Sequence, residues 1–254
     1  DSLLRLQQEI ILGMGGVRAL RAAGLSPQVW HINEGHAAFQ IVERVRELVV
    51  SGLVFDAAIE VVAANTVFTT HTPVSAGHDV FDRDLIVNHF RTLMPELGIS
   101  EESFLALARE SDAHPGFNMT RLALSGSRHV NGVSRLHGQV TSKICAGAWP
   151  EVPAAENPVG YVTNGVHVPT FMQKEWADLL VQNLGPSWRY QITDRELLGK
   201  IEDIPDGRFW YVNQQVKAAM LHGLRERLRR QHGRNQLSEA HVHRLLKYLD
   251  PEHP

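Results

Sequence analysis

The residues of this 254-residue chain best suited to chemistry are hydrogen-bonding side chains, most of them neutral, gathered at expected strand and loop ends. Asn33, Glu34 and His36 lie in HINEGH, and His71 and Thr72 close TVFTTHT. Asn131 and His137 lie in HVNGVSRLH, while Thr163, Asn164 and His167 lie in VTNGVH. Asn supplies donors and an acceptor, and neutral His supplies one of each, so the set matches the hydroxyl groups of a sugar or other polyol. Taken singly, each is better explained as a cap or a satisfied buried polar group. Taken together at strand ends, they favour a polyol site. The stretch from Phe117 to Phe171 is the densest in such residues, and it has too few Lys and Glu for an ordinary surface helix.

Other chemistries fit less well. Fourteen histidines invite a metal. However, His31 and His36 straddle a turn, and His71 and His78 are separated by a flexible loop. HINEGH is not HExxH, and one cysteine makes no Cys pair, so no metal site is expected. SGSRH at 125–129 lacks the second glycine of a nucleophile elbow and falls inside a helical pattern. The GxGG of residues 13–16 has no strand before it and no GK[ST] after it, so close helix packing is expected there. A formal charge of -3 gives no electrostatic case for nucleic acid or an anionic membrane. No apolar run approaches the ~20 residues of a membrane span. The lone Cys145 fits a reducing, cytoplasmic setting and reads as a small core residue.

The elements that must position these residues follow from periodicity. Residues 3–23 read as one helix interrupted by Gly13, Gly15 and Gly16. Val29, Trp30 and Ile32 read as a short buried strand, Asn33–Gly35 as a tight turn, and His36 onward as a helix. A second helix over 53–64 leads to a strand ending at His71. Strands alternating with helices point to a parallel sheet covered by helices, whose ligands sit off the carboxyl ends of the strands. Further helices are expected from about Asp82, over 100–111 after a Ser100 cap, and as one long helix from Phe117. AWPEVPAAENP reads as a Pro-rich linker and GYVTNGVHVPTF as a strand ending in a loop. A helix stopped at Gly185-Pro186 and a basic helix over 209–231 with a solvated face complete the chain. The start lacks Met, and the end breaks off after a helix where an α/β protein usually supplies a strand. A piece of a longer chain is therefore expected.

Five words of the sequence resemble the α-glucan phosphorylases, most of all the short bacterial and archaeal form. They are RLQQEIILGMGGVRALRAAG, VWHINEGHAAFQIVERVREL, VVAANTVFTTHTPVSAGHDVF, FNMTRLALSGSRHVNGVSRLHGQV and GYVTNGVHVPTF, in the family's order over nearly the whole chain. The resemblance implies an α/β fold, helix-rich here, that is part of the two-domain GT-B arrangement of paired Rossmann-like domains. Residues 1–163 would be the later part of the first domain, and 164–254 the crossover and opening helices of the second. It implies phosphorolysis of α-1,4-glucan by inorganic phosphate, with retention, releasing glucose 1-phosphate.

Carried onto matching positions, His71 and Asn164 would contact the glucosyl unit. Asn33, Glu34, His36 and Thr72 would line its pocket, with Glu34 where related enzymes often carry Asp. Val133, His137 and Phe171 would face pyridoxal phosphate, with Phe171 near a position where the family usually has Trp. The lysine that holds this cofactor belongs to an Asn-Met-Lys word that is not found here, since Asn118-Met119 is followed by Thr120. The chain alone is therefore expected to be inactive. The alternatives are a non-catalytic glucan-binding module and a nucleotide-sugar-dependent transferase of the same fold.

Overall fold

The computed structural model describes residues 2–74, 77–111, 114–235 and 238–250. They form β1 (Trp30–Asn33), β2 (Thr66–Thr70), β3 (Val80–Phe81), β4 (Arg109–Ser111), β5 (His114–Asn118), β6 (His129–Gly132) and β7 (Val159–Tyr161). β1, β2, β6 and β7 lie side by side in that order and all run parallel. β3, β5 and β4 make a separate antiparallel sheet. The chain divides into two compact units, Asp1–Asn164 and Gly165–Pro254.

In the first unit, α1 (Ser2–Ile10) passes through a π-helical segment, Ile11–Gly15, into α2 (Gly16–Ala22). α3 (Phe39–Val50) and α4 (Phe55–Ala64) connect β1 to β2. α5 (Arg83–Phe90), α6 (Met94–Leu97), α7 (Glu101–Ala106), α8 (Met119–Ser125) and α9 (Arg135–Ile144) follow. α3 is the centre of this unit, since its first seven residues, Phe39–Val45, are all buried. Phe39 stacks on Phe90 with centroids 4.9 Å apart and on Phe117 at 6.1 Å, and Phe104 closes the group against both. Gly13 lets the π segment press onto this helix. A Cβ there would meet Gln40 N and Phe39 Cβ at 2.8 Å. Helix packing is thus the role of that glycine, as its context implies.

A helix buried on several sides must also bury polar side chains, and its two buried ions, Glu43 and Arg44, both find partners. The Glu43 carboxylate, fully enclosed, takes Arg18 Nε at 2.9 Å, Arg18 Nη2 at 2.8 Å and Arg46 Nη2 at 2.6 Å. Those hydrogen bonds outweigh burial and hold its carboxyl below the usual range. Arg44 donates to Thr66 Oγ1 at 2.7 Å at the start of β2 and lies over the Trp30 ring at 4.6 Å, joining α3 to two strands. Burial pushes its guanidinium down to about 10.

The second unit is helical: α10 (Val168–Phe171), α11 (Lys174–Leu184), α12 (Arg195–Gly199), α13 (Asp206–Arg234) and α14 (Glu239–Leu246). Its small core holds Ala177, Leu184 and Trp188. Gly185, with φ +87°, ends α11 before Pro186. α13 buries none of its 29 residues, which accords with a solvated basic face.

The structure corrects several expectations. The long helix expected from Phe117 is β5, α8, β6 and α9, so SGSRH leaves a helix and enters a strand. Two of the three breaks fall at glycines. A Cβ on Gly126 would strike Ile41 at 2.5 Å, and one on Gly132 would meet His137 Nδ1 at 2.6 Å and Gly138 N at 2.8 Å. The helix over 100–111 stops at Ala106 and gives way to β4, although Ser100 does cap it, accepting from Ser103 N at 3.1 Å. The helix over 3–23 is interrupted at its glycines, as expected, and the interruption is the π segment, with Met14 and Val17 buried and Leu3 exposed. β1 omits the exposed Val29, and β2 ends one residue before His71. Cys145 is buried, as a small core residue should be.

Glu9 is buried on α1 and touches Arg5 Nε at 2.8 Å, while Arg5 Nη2 reaches Asp79 Oδ2 at 2.8 Å. Burial, with the charge of Asp79 nearby, pushes the Glu9 carboxyl up to about 8 despite Arg5. An acid raised on folding keeps its proton in the native state after the unfolded chain has lost it. Between the ordinary carboxylate range and about 8 the unfolded state therefore binds fewer protons, and stability falls as pH rises. Wild type is expected to lose melting temperature across that window, and Glu9→Gln, which mimics the protonated form, to flatten the decline in a thermal-melt pH series.

Candidate active site

Parallel strands taken in sequence order put all four carboxyl ends on one edge of the sheet. β1 delivers Asn33 and Glu34 there, β2 delivers His71 and Thr72, and β6 delivers Asn131, Gly132 and Val133. Asn33, Thr69 and Asn131 are register partners across three strands. Beyond β7 the chain runs on to Asn164, with Val162 N bonded to Gly132 O at 2.9 Å.

Two linked groups of hydrogen bonds fill this edge. His71 Nε2 lies 2.7 Å from Asn33 Oδ1, and since an amide oxygen only accepts, the ring donates there. In the neutral ring that leaves Nδ1 as an acceptor, suited to a hydroxyl donor. His31 Nε2, two residues before that row, stands 2.7 Å from Thr69 Oγ1, and Thr69 Oγ1 donates along the row to Asn131 Oδ1 at 3.0 Å. The Glu34 carboxylate accepts from Thr70 Oγ1 and Thr72 Oγ1, each at 3.3 Å, and from the backbone N–H of His71.

Glu34 is the one non-glycine residue of positive φ among the described residues, at φ 64° and ψ 170°. The turn is pressed against the start of α8, where a Cβ on Gly35 would meet Met119 Cβ at 3.1 Å and Thr120 N at 3.2 Å. At the β6 end, Val133 N donates to His137 Nδ1 at 3.3 Å, and Ser134 caps α9 by accepting from His137 N at 3.1 Å. His137 Nε2 is buried without a hydrogen-bond partner among the described residues.

The structure thus brings Asn33, Glu34, His71 and Thr72 together and sets Val133 with His137 at the adjoining strand end. Asn164 is exposed, and neither it nor His36 makes a side-chain hydrogen bond among the described residues; His36 sits half-buried in the one-turn 3-10 helix Gly35–Ala37. Phe171 belongs to the second unit, where it is 77% exposed. Reasoning from sequence missed Thr69 and Thr70, and it weighed His31 only as a metal ligand. Their roles come from register, and the doubled threonine before His71 was the available signal. Among the described residues no cluster of three or more His, Cys, Asp or Glu could hold a metal ion.

A family model for carbohydrate phosphorylase matches residues 25–249. The chain belongs to the carbohydrate phosphorylase family. It is 37% identical to a maltodextrin phosphorylase of Thermococcus litoralis over 235 residues, 92% of this chain and 28% of that protein. It is 36% identical to a glycogen phosphorylase of Mycobacterium tuberculosis over 265 aligned positions, 99% of this chain and 30% of that one. A glycogen phosphorylase of Aquifex aeolicus is 34% identical, with 90% and 33% covered. The chain thus spans about a third of these relatives' length. No helix of the described residues is long and apolar enough to cross a membrane.

Thr69→Val keeps the shape of the strand but leaves Asn131 Oδ1 without its donor and His31 without its acceptor. A loss of about 1 kcal/mol is expected in denaturant unfolding, with no change in m-value.

Proposed function

We propose that this chain forms one wall of the active site of an α-1,4-glucan phosphorylase. The enzyme removes glucosyl units from the non-reducing end of glycogen, starch or maltodextrin as glucose 1-phosphate, with retention. The observation that carries the reading is the convergence of Asn33, Glu34 and His71 at the carboxyl edge of a parallel sheet, in a chain of this family. The site is rich in neutral donors and acceptors, the chemistry of sugar recognition, and the acceptor Nδ1 of His71 suits a hydroxyl. In this reading His71 and Asn164 hold the glucosyl unit, and Asn33, Glu34, His36 and Thr72 shape its pocket. The C1–O bond to the next glucose breaks, a phosphate oxygen forms the new bond to C1, and the phosphate proton ends on the departing hydroxyl. His71 and Asn164 orient the sugar for that exchange.

The first unit then belongs to the first of two GT-B domains and the second unit to the opening of the other, in a cytoplasmic enzyme. Val133, His137 and Phe171 would lie on the side of pyridoxal phosphate, which supplies acid–base chemistry through its phosphate. The first unit does not fit covalent anchoring of that group. Lys143, the single lysine of the first unit, stands in the last turn of α9, the end of the helix remote from the start that adjoins β6.

The chain alone, given maltodextrin, phosphate and pyridoxal phosphate, is expected to yield no glucose 1-phosphate, whereas the full-length protein yields it. Glucan binding without product in the full-length protein would favour a binding module and end the proposal. His71→Ala and Asn164→Ala should each lower kcat/KM by about 1–3 kcal/mol of transition-state stabilisation, and unchanged kcat/KM in both would remove them from the site.

A further inference from the structure

We propose that Glu34 is a positioning residue for His71, its carboxylate committed to the end of β2 and not to a ligand. The proposal rests on the reading of His71 as a sugar contact. Glu34 is tied to β2 twice. Its backbone N–H bonds Thr69 O at 2.8 Å, and its side chain then reaches past the strand end to residues 70–72. Glu34 Oε1 collects the hydroxyls of Thr70 and Thr72 and the backbone N–H of His71. That N–H follows the last residue of β2, where the ladder offers it no carbonyl. Glu34 therefore does for the strand what a cap does for a helix.

His71 is thus held at two points by consecutive residues of one turn: its ring by Asn33 and its backbone by Glu34. The left-handed backbone at Glu34 is a conformation that a side chain with a Cβ seldom adopts, and it persists where the surroundings over-determine it. Here the surroundings are the Thr69 bond behind it and Gly35 wedged against Met119 and Thr120 ahead of it. A carboxylate with three donors on one oxygen has little capacity left on that oxygen for a substrate hydroxyl.

Two measurements decide it, both in the full-length protein. Hydrogen–deuterium exchange, resolved to the His71 amide, should quicken by about tenfold or more in Glu34→Ala, while Phe68 in β2 stays protected and Asn33→Ala leaves the His71 amide slow. An unchanged His71 amide in Glu34→Ala overturns the proposal without reference to activity. The second measurement is a kinetic cycle with Glu34→Gln, which keeps size and one acceptor. Its kcat/KM for maltodextrin phosphorolysis should fall by about tenfold in the wild-type background and less than about twofold beside His71→Ala, because an effect transmitted through the imidazole vanishes with it. Equal falls in both backgrounds would make Glu34 a ligand contact and overturn the proposal, as would no fall in wild type. If the wild-type protein itself makes no glucose 1-phosphate, the proposed function fails, and the exchange result still decides the role of Glu34.

Discussion

The first unit depends on α3 being buried almost all round over its first two turns. A helix at the margin of a sheet buries one stripe, but α3 has the aromatic group of Phe90, Phe104 and Phe117 on one side and the π segment on another. Such a helix cannot shift without breaking close packing on several fronts, and its buried ions anchor it further. Glu43 is neutralised by two arginines whose own guanidinium groups reach solvent. The carboxylate is thus enclosed while part of the positive charge stays hydrated, which lessens the desolvation penalty of a buried pair. Arg44 extends the same helix to Trp30 and Thr66, at the amino ends of β1 and β2. The relative height of those two strands is thereby set from the end opposite the candidate site.

That height matters because the functional edge is built from register. Asn33, Thr69 and Asn131 share a row only while three strands keep their alignment. A slip of one residue would send the Thr69 hydroxyl to the other face and leave both His31 and Asn131 without it. The hydrogen bonds at the edge are individually modest, yet each closes on a neighbour from a different strand. Together they turn three separate chain ends into one surface.

Much of this was legible in the sequence, for identifiable reasons. Short apolar runs ending in Asn33-Glu34 and His71-Thr72 announced strands with polar carboxyl ends, and the helices between them implied parallel pairing. The region after Phe117 misled because Leu122, Val130 and Val133 fall at spacings a helix also permits. The true punctuation was Gly126 and Gly132, whose missing side chains make room for Ile41 and for His137 with Gly138. A glycine that ends a helix and one that packs against a neighbour look the same until that neighbour is known. The partners of Thr69, and the left-handed backbone of Glu34, were beyond sequence reasoning altogether. Both are consequences of which residues lie across from them.

The order of the parallel strands has a consequence for how the molecule is made. Each strand of the four-stranded sheet pairs with the one that preceded it in synthesis, so the sheet grows by accretion at a single edge and never by insertion. As the chain leaves the ribosome, β1 and β2 can pair before β6 and β7 exist, while α3 between them completes its burial only once Phe90, Phe104 and Phe117 arrive. Until β6 arrives, β2 presents a bare edge, and Thr69 has no Asn131 to receive its hydroxyl. The row at the carboxyl edge therefore closes late, after the scaffold beneath it is already in place.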